Sequence, residues 1–234
     1  MKVTPGDIIS HAQMNIIEGY SLQRGMNYRI NGGVSVFLMS IREGAPYDDK
    51  IEDDGRILIY EGHDEKKNWT KNPKAADQPM ISPSGGLTEN GIFFKVANDY
   101  KKGLHPPEMI KVYQKLKKGI WTYNGVFELL DAQIKKLYGR KVFKFRLKIT
   151  DKELSHKKLI LKELNDIAHN RIIPTSIKLE VWKRDKGKCV MCGKTDNLHF
   201  DHDLPYSKGG TSIKAENIQL LCARHNLQKH DKIQ

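Results

Sequence analysis

CVMCGKTDNLHFDHDLPYSKGGTSIKAENIQLLCARHNLQK, residues 189–229, decides how this chain is read. It opens on Cys189 and Cys192 and closes near Cys222 and His225, so two ligand pairs each enclose two intervening residues. That spacing lets a tight turn aim both side chains of a pair at one tetrahedral ion, and thiolate with imidazole is a donor set that zinc prefers. The chain has 3 cysteines, all within this stretch. An odd number argues against a disulfide framework, and the bland alternative, three buried cysteines beside an unrelated histidine, leaves the spacing unexplained. Four protein ligands close the tetrahedron, which makes the expected zinc structural. A terminal unit of about 55 residues has too little core to fold securely without such a staple.

Between the two pairs lies LHFDHDLPYSKGGTSIKAENIQLL (198–221), and Asn226 and Lys229 follow the second pair. The pattern DH…LPYSKGG…EN…LCARHN…K resembles an HNH endonuclease of the ββα-metal type, over roughly residues 178–230. The resemblance implies phosphodiester hydrolysis. His202 would be the general base, because imidazole titrates near neutral pH and accepts the proton of water. Asp201 and Asn226 would offer oxygen ligands to a catalytic Mg²⁺ or Mn²⁺. Asn217 would orient the loop that carries the base. Lys229 reads either as a phosphate contact or as a solvated helix lysine, and His199 is left unassigned. Asp201 and His202 are adjacent and would face opposite ways on a regular strand, so a distorted strand end is expected. Many zinc-bearing members carry cysteine as the fourth ligand, where this chain has His225. That leaves open whether His225 serves zinc or the catalytic metal; zinc is preferred, because otherwise the structural site has three ligands.

Working outward, residues 7–17 place Ile8, Ile9, Ala12, Ile16 and Ile17 at helical spacing. Strands are expected at 34–41, 56–60, 109–116, 125–134 and 141–149, the last with clean alternation of Phe143, Phe145, Leu147 and Ile149 against Lys144, Arg146 and Lys148. Residues 62–91 read as a long loop of the kind that usually carries function, followed by a short helix at 91–102. A helix over 151–176 would connect residues 1–150 to a nuclease unit at 177–234, which a second short helix (177–185) would introduce. The fold class is α+β.

Four segments of the first part, GRILIYEGHD (55–64), KAADQP (74–79), IWTYNGVFELLDAQ (120–133) and GRKVFKFRLKI (139–149), resemble an SRA (SET and RING-associated, or YDG) domain. The YDG tripeptide is Tyr123-Asn124-Gly125 here. The resemblance implies a curved β-barrel-like sheet that takes a modified cytosine out of the duplex. Base flipping needs aromatic faces and a polar group for the Watson–Crick edge. Tyr47 and Tyr60 fit the first role and Asp49 the second, with neighbouring Asp48 leaving the register open by one residue. Lys101, Lys102, Lys111, Lys115, Lys117 and Lys118 would track the DNA backbone or form a solvated face.

Charge agrees with a polyanionic partner. The chain of 234 residues carries 40 Lys and Arg against 28 Asp and Glu, a net +12. Cations that neutralise phosphates release counterions and gain affinity. No apolar run approaches the length of a bilayer span, and the first ten residues lack the apolar core of a secretion signal, so a cytoplasmic location is the expectation. Together these readings point to a modification-dependent restriction endonuclease acting on DNA with 5-methyl- or 5-hydroxymethylcytosine. A homodimer would cut both strands. The rivals are an HNH nuclease that reads unmodified sequence or another mark, and a non-catalytic reader in which zinc only staples the fold.

Overall fold

The alternating segment at the end of the first part is the central ladder of a large sheet. In a computed structural model, which describes residues 3–65, 70–150, 173–204 and 210–229, it forms β8 (Arg140–Thr150). Antiparallel neighbours flank it, β5 (Ile57–Glu61) on one side and β7 (Ile120–Leu137) on the other. With β1 (Ile8–Ser10), β2 (Met26–Asn27), β3 (Ser35–Met39), β4 (Lys50–Glu52) and β6 (Glu108–Lys117), the strand path is β2-β3-β6-β7-β8-β5-β4, and β1 pairs with β7 off this path. Within this sheet the β3–β6 pair is parallel and the other described pairs are antiparallel.

Helices cover both faces. Helix α2 (Glu89–Lys101) begins where the Thr88 side chain accepts from the Gly91 N–H, filling one of the orphan donors of a first turn. It presses Phe93 and Ala97 into a core with Phe37, Phe127 and Phe145. Phe93 and Phe37 meet edge to face at 4.7 Å. On the opposite face α1 (His11–Glu18) buries Met14 against Val36, Tyr113 and Trp121.

The helix expected over 7–17 is therefore two elements. Ser10 is extended and makes a reciprocal capping box with Gln13, so the helix starts only at His11. The β-branched pair Ile8-Ile9 before it pairs with β7 instead, Ile9 opposite Trp121. Strand β7 is also longer than expected, because Tyr123-Asn124-Gly125 does not end it. The register with β6 steps from Val112–Gly125 to Tyr113–Tyr123, which leaves Asn124 as the extra residue of a β-bulge, and Gly125 takes φ 100°. Strands β2 and β4 were not legible at all.

The C-terminal part contains α3 (Thr175–Arg184), a hairpin of β9 (Leu198–His202) and β10 (Ile218–Cys222), and α4 (Ala223–Lys229). Its core gathers Val181, Phe200, Ile218 and Leu220. Residues 151–172 of the expected connecting helix lie outside the described residues. No helix of the described residues is long and apolar enough to cross a membrane.

Gly62 shows how tightly the end of β5 is enclosed. A Cβ there would stand 2.6 Å from Asn90 Oδ1 and 2.8 Å from both Gln78 Oε1 and Phe143 Cβ. Gly62→Ala is expected to lower stability by about 1–3 kcal/mol through overpacking, measured by chemical denaturation.

Candidate metal centre and nucleic-acid interface

Cys189 and Cys192 stand on the turn after α3, Cys222 ends β10 and His225 lies in the first turn of α4. Their four donor atoms all lie within 4.8 Å of one another. Cys189 Sγ is 3.4 Å and Cys222 Sγ 3.5 Å from His225 Nδ1, and Cys192 Sγ is 3.8 Å from Cys222 Sγ. Bonds of about 2.3 Å to sulfur and 2.0–2.1 Å to nitrogen, set tetrahedrally, require roughly 3.8 Å between sulfurs and 3.5 Å between sulfur and nitrogen. The residues therefore fit a four-coordinate ion, and His225 belongs to this centre. Burial raises the Cys189 thiol, but hydrogen bonds from the Cys222 and His225 side of the cluster outweigh it and bring the thiol down to about 6. A thiol so placed ionises readily, which is the form a metal needs.

The segment between the two ligand pairs carries the β9–β10 hairpin, and α4 starts directly after Cys222 and carries His225. Asn217 accepts from the Leu204 N–H at 2.7 Å and donates to Leu204 O at 3.1 Å and Thr211 O at 3.0 Å. It thus ties together the two ends of the loop after β9. The expected distortion of β9 is absent: pairing stays regular through Asp201–Gln219 and His202–Ile218. Adjacent residues of a regular strand face opposite ways, and their partners differ accordingly. His202 Nε2 is 2.9 Å from the hydroxyl of buried Ser212. Asp201 Oδ2 instead accepts from Lys229 Nζ at 2.7 Å.

Lys229 corrects the reading of it as a phosphate contact or a solvated lysine. It is buried, and its ammonium also donates to His202 O at 2.7 Å. It holds the strand end from within. Asn226, half-buried, precedes Lys229 by three residues on α4, so the two are neighbours on the helix surface. Asp201 thus meets the helix that also carries Asn226, and hard oxygen donors such as theirs suit Mg²⁺ or Mn²⁺. His199 points elsewhere, to Asp7 Oδ1 at 2.6 Å.

A cavity of about 650 Å³ opens on the large sheet, within the range of small-ligand sites. Tyr47, Asp49, His63 and Trp121 line it, with Arg42 and Lys118 among its cations. Asp49 and Asp48, which both line a second, smaller cavity, differ in burial. Asp49 is buried and accepts the N–H groups of Ser40 and Glu61 at 3.1 and 3.0 Å, whereas Asp48 is half exposed and paired with Lys50. Burial pushes the Asp49 carboxyl up to about 7, against those two hydrogen bonds. The second cavity, of about 430 Å³, shares Tyr47 and Asp49 with the larger one.

Tyr60 does not line either cavity. Its ring is in the core, 4.3 Å from that of Phe37. Its hydroxyl lies 3.2 Å from Leu38 O and 3.0 Å from His63 Nε2. The aromatic surface comes instead from His63, which sequence reading missed although it follows an apolar strand in the polar run Glu61-Gly62-His63-Asp64. Asn90 grips the His63 backbone at both N–H and carbonyl, and the imidazole stacks on Tyr47 at 4.7 Å and 8°. Lys74 covers Tyr47 at 4.3 Å from the ring centre. Burial lowers His63 to about 4, so its ring is neutral at physiological pH. The six lysines expected to act together do not share one role. Lys101 pairs with Asp131 and Lys111 with Glu18, exposed Lys102 is the C-cap of α2, Lys117 lies over Trp182, and Lys115 and Lys118 border the large cavity.

Residues 189–232 match the family model described as HNH endonuclease. No curated relative matches the chain. Solved structures with similarity include the SUVH5 SRA domain in complex with hemimethylated CG DNA, at 22% identity over 65% of this chain and 95% of that one, with a TM-score of 0.43. The SUVH5 SRA complex with methylated CHH DNA is similar at 22% identity over 64% of this chain and 91% of that one, with a TM-score of 0.46. Arabidopsis thaliana SUVH6 in complex with SAM is similar at 21% identity over 64% of this chain and 26% of its own, with a TM-score of 0.40.

The metal centre has a direct check. Protein purified without chelator is expected to hold about one tightly bound ion per chain by elemental analysis, and Cys222→Ala is expected to lose that ion and several degrees of Tm together.

Proposed function

We propose that this chain is a metal-dependent DNA endonuclease that takes a modified cytosine, 5-methyl or 5-hydroxymethyl, into the Tyr47–Asp49–His63 cavity and hydrolyses a nearby phosphodiester at its HNH site. One observation carries the reading: a chain with an HNH segment also holds a buried carboxylate in a cavity walled by aromatic rings and bordered by cations. Its net charge of +12 suits a polyanion.

In this reading Asp49 accepts from the exocyclic amino group of the extruded base, and its two backbone N–H bonds fix its direction. Tyr47 supplies the stacking face. Its ring centre is 4.7 Å from that of His63, too close to admit a third ring between them, so an entering base parts the pair. Arg24, Arg42, Lys115 and Lys118 border the cavity, where cations would meet the flanking phosphates.

At the HNH site, His202 takes the proton of the attacking water. Ser212 holds the imidazole at Nε2 and so sets its plane. Asn217 keeps the loop carrying Thr211 and Leu204 closed around it. Asp201 and Asn226 would hold Mg²⁺ or Mn²⁺, whose Lewis acidity would stabilise charge on the phosphate; because Asp201 and His202 alternate at the end of a regular strand, the phosphate would lie across that strand end to meet both. Cys189, Cys192, Cys222 and His225 would hold zinc, which with four protein ligands would be structural. One HNH site cuts one strand at a time, so a homodimer would cut both. The role that follows is restriction of foreign DNA carrying modified cytosine.

One DNA fragment made with cytosine, 5-methylcytosine or 5-hydroxymethylcytosine, offered with Mg²⁺ and with Mn²⁺, tests the reading. Cutting of a modified version alone is expected. Equal cutting of all three would remove the base-reading half, and no cutting with either metal would remove the nuclease. His202→Ala is expected to lower cleavage at least about 100-fold while leaving DNA affinity unchanged. Asp49 adds a pH signature. Its raised value means that the empty cavity holds the neutral acid below about pH 7 and the carboxylate above it. Affinity for modified DNA is therefore expected to rise as pH increases through about 7, and Asp49→Asn is expected to flatten that slope in a binding titration.

A further inference from the structure

Residues 4–10 lie between the large sheet and the nuclease hairpin and are bonded to both. Toward the sheet, Gly6 N–H donates to Tyr123 O at 2.8 Å, Tyr123 N–H donates to Asp7 O at 2.9 Å, and β1 continues the pairing with β7. Toward the hairpin, Asp7 bridges His199 of β9 in antiparallel fashion, Phe200 N–H reaches Gly6 O at 3.3 Å, and His199 Nδ1 meets Asp7 Oδ1 at 2.6 Å.

A second contact is independent of this strap. Lys178 on α3 is only 2% exposed, yet its partners belong to the large sheet. Nζ donates to Gln114 Oε1 of β6 at 2.8 Å and to Asn124 Oδ1 of β7 at 2.7 Å. Gln114 also reaches Thr175 at the start of α3, and Asn124 Nδ2 donates to Gln114 Oε1 at 3.1 Å. Around this network, Ile8, Leu116 and Ile120 of the sheet unit pack in one cluster with Val181 and Phe200 of the nuclease.

We propose that the nuclease is docked in one fixed register on the N-terminal unit, with Lys178 and the strap of residues 4–10 as positioning elements, so that the cut falls at a single narrow offset from the recognised base. The inference rests on the reading of the N-terminal cavity as the recognition site. Without these contacts nothing among the described residues would fix where the nuclease reaches along the duplex, whose base pairs step by ~3.4 Å. The docking removes that freedom. An amine with two amide acceptors is satisfied in one arrangement and left buried without partners in any slipped one, which is how a buried polar group fixes register. The interface is dry enough that burial lowers Lys178 to about 7.

The test uses the full chain and an end-labelled duplex with one modified cytosine, with cut positions mapped at nucleotide resolution. Wild-type protein is expected to cut at one or two adjacent phosphodiesters. Lys178→Met combined with His199→Ala is expected to spread the cuts over several base pairs, with total cleavage within about tenfold of wild type. Replacing the whole network (Gln114→Leu, Asn124→Leu, Thr175→Val, Lys178→Met) removes its donors and acceptors together and is expected to restore the narrow offset. Scattered cutting by the wild type, or an unchanged offset in the Lys178→Met and His199→Ala protein, would overturn the proposal. Amide hydrogen exchange reads the docking without DNA: the Phe200 N–H is expected to lose protection in that same variant while zinc content is retained, and unchanged protection there would also overturn the proposal. Should modified and unmodified DNA be cut alike, the substrate reading fails and the exchange measurement still decides the docking.

Discussion

Strand β7 hydrogen-bonds to β1, β6 and β8, and it does so by changing partners along its length. Ile120 to Thr122 pair with β1 on one side, whereas Val126 onward pairs with β8. The exchange happens at Tyr123-Asn124-Gly125, where the β-bulge lets a single strand turn from one neighbour to the next. Only glycine takes φ 100° there without strain, and the extra residue it creates points its side chain out of the ladder. That side chain is Asn124, which meets Lys178. The same three residues thus shape the sheet, receive the N-terminal strap at Tyr123 and supply an acceptor to the nuclease helix.

Asn124 stands where the YDG pattern has an aspartate. A carboxylate facing buried Lys178 would make an ion pair, and two desolvated charges gain net stability only with near-ideal geometry. The amide serves with less penalty. It accepts from Lys178 through oxygen and donates to Gln114 through nitrogen, two tasks that a carboxylate cannot combine. The departure from the pattern is therefore coherent with the neighbour that the second unit brings.

Much of the candidate site was legible because it is local. Cysteine spacing, the Asp201-His202 pair and Asn217 lie within 37 residues, and the structure brings the three cysteines and His225 together as a possible metal site. Alternation along β8 was equally plain, since each side chain obeys its own strand. What escaped depends on partners distant in sequence. His63 lies on the cavity wall because Asn90, 27 positions away, grips its backbone. Tyr60 faces the core because Phe37 lies against it. Lys229 reads as a surface residue on its helix until β9 is folded beneath it. The expected helix over 7–17 failed for a local reason: isoleucines at helical spacing are also β-branched residues, and the capping box at Ser10 settles which stretch becomes which.

Lys229 also explains how a regular strand can serve two purposes at its end. Asp201 and His202 leave β9 on opposite faces, so neither can be positioned by the other. Lys229 connects them without distorting the ladder, because its ammonium binds the carboxylate of one and the carbonyl of the next. Three donors on one flexible stem can do this where a planar guanidinium would impose its own geometry. The ammonium also offsets the negative charge on Asp201 and Asp203, which lies 3.5 Å from it. Each face then keeps its own support, Ser212 behind the imidazole and α4 behind the carboxylate. The hairpin can remain a straight two-stranded ladder because a buried lysine, rather than a kinked backbone, fixes the end from which both side chains depart.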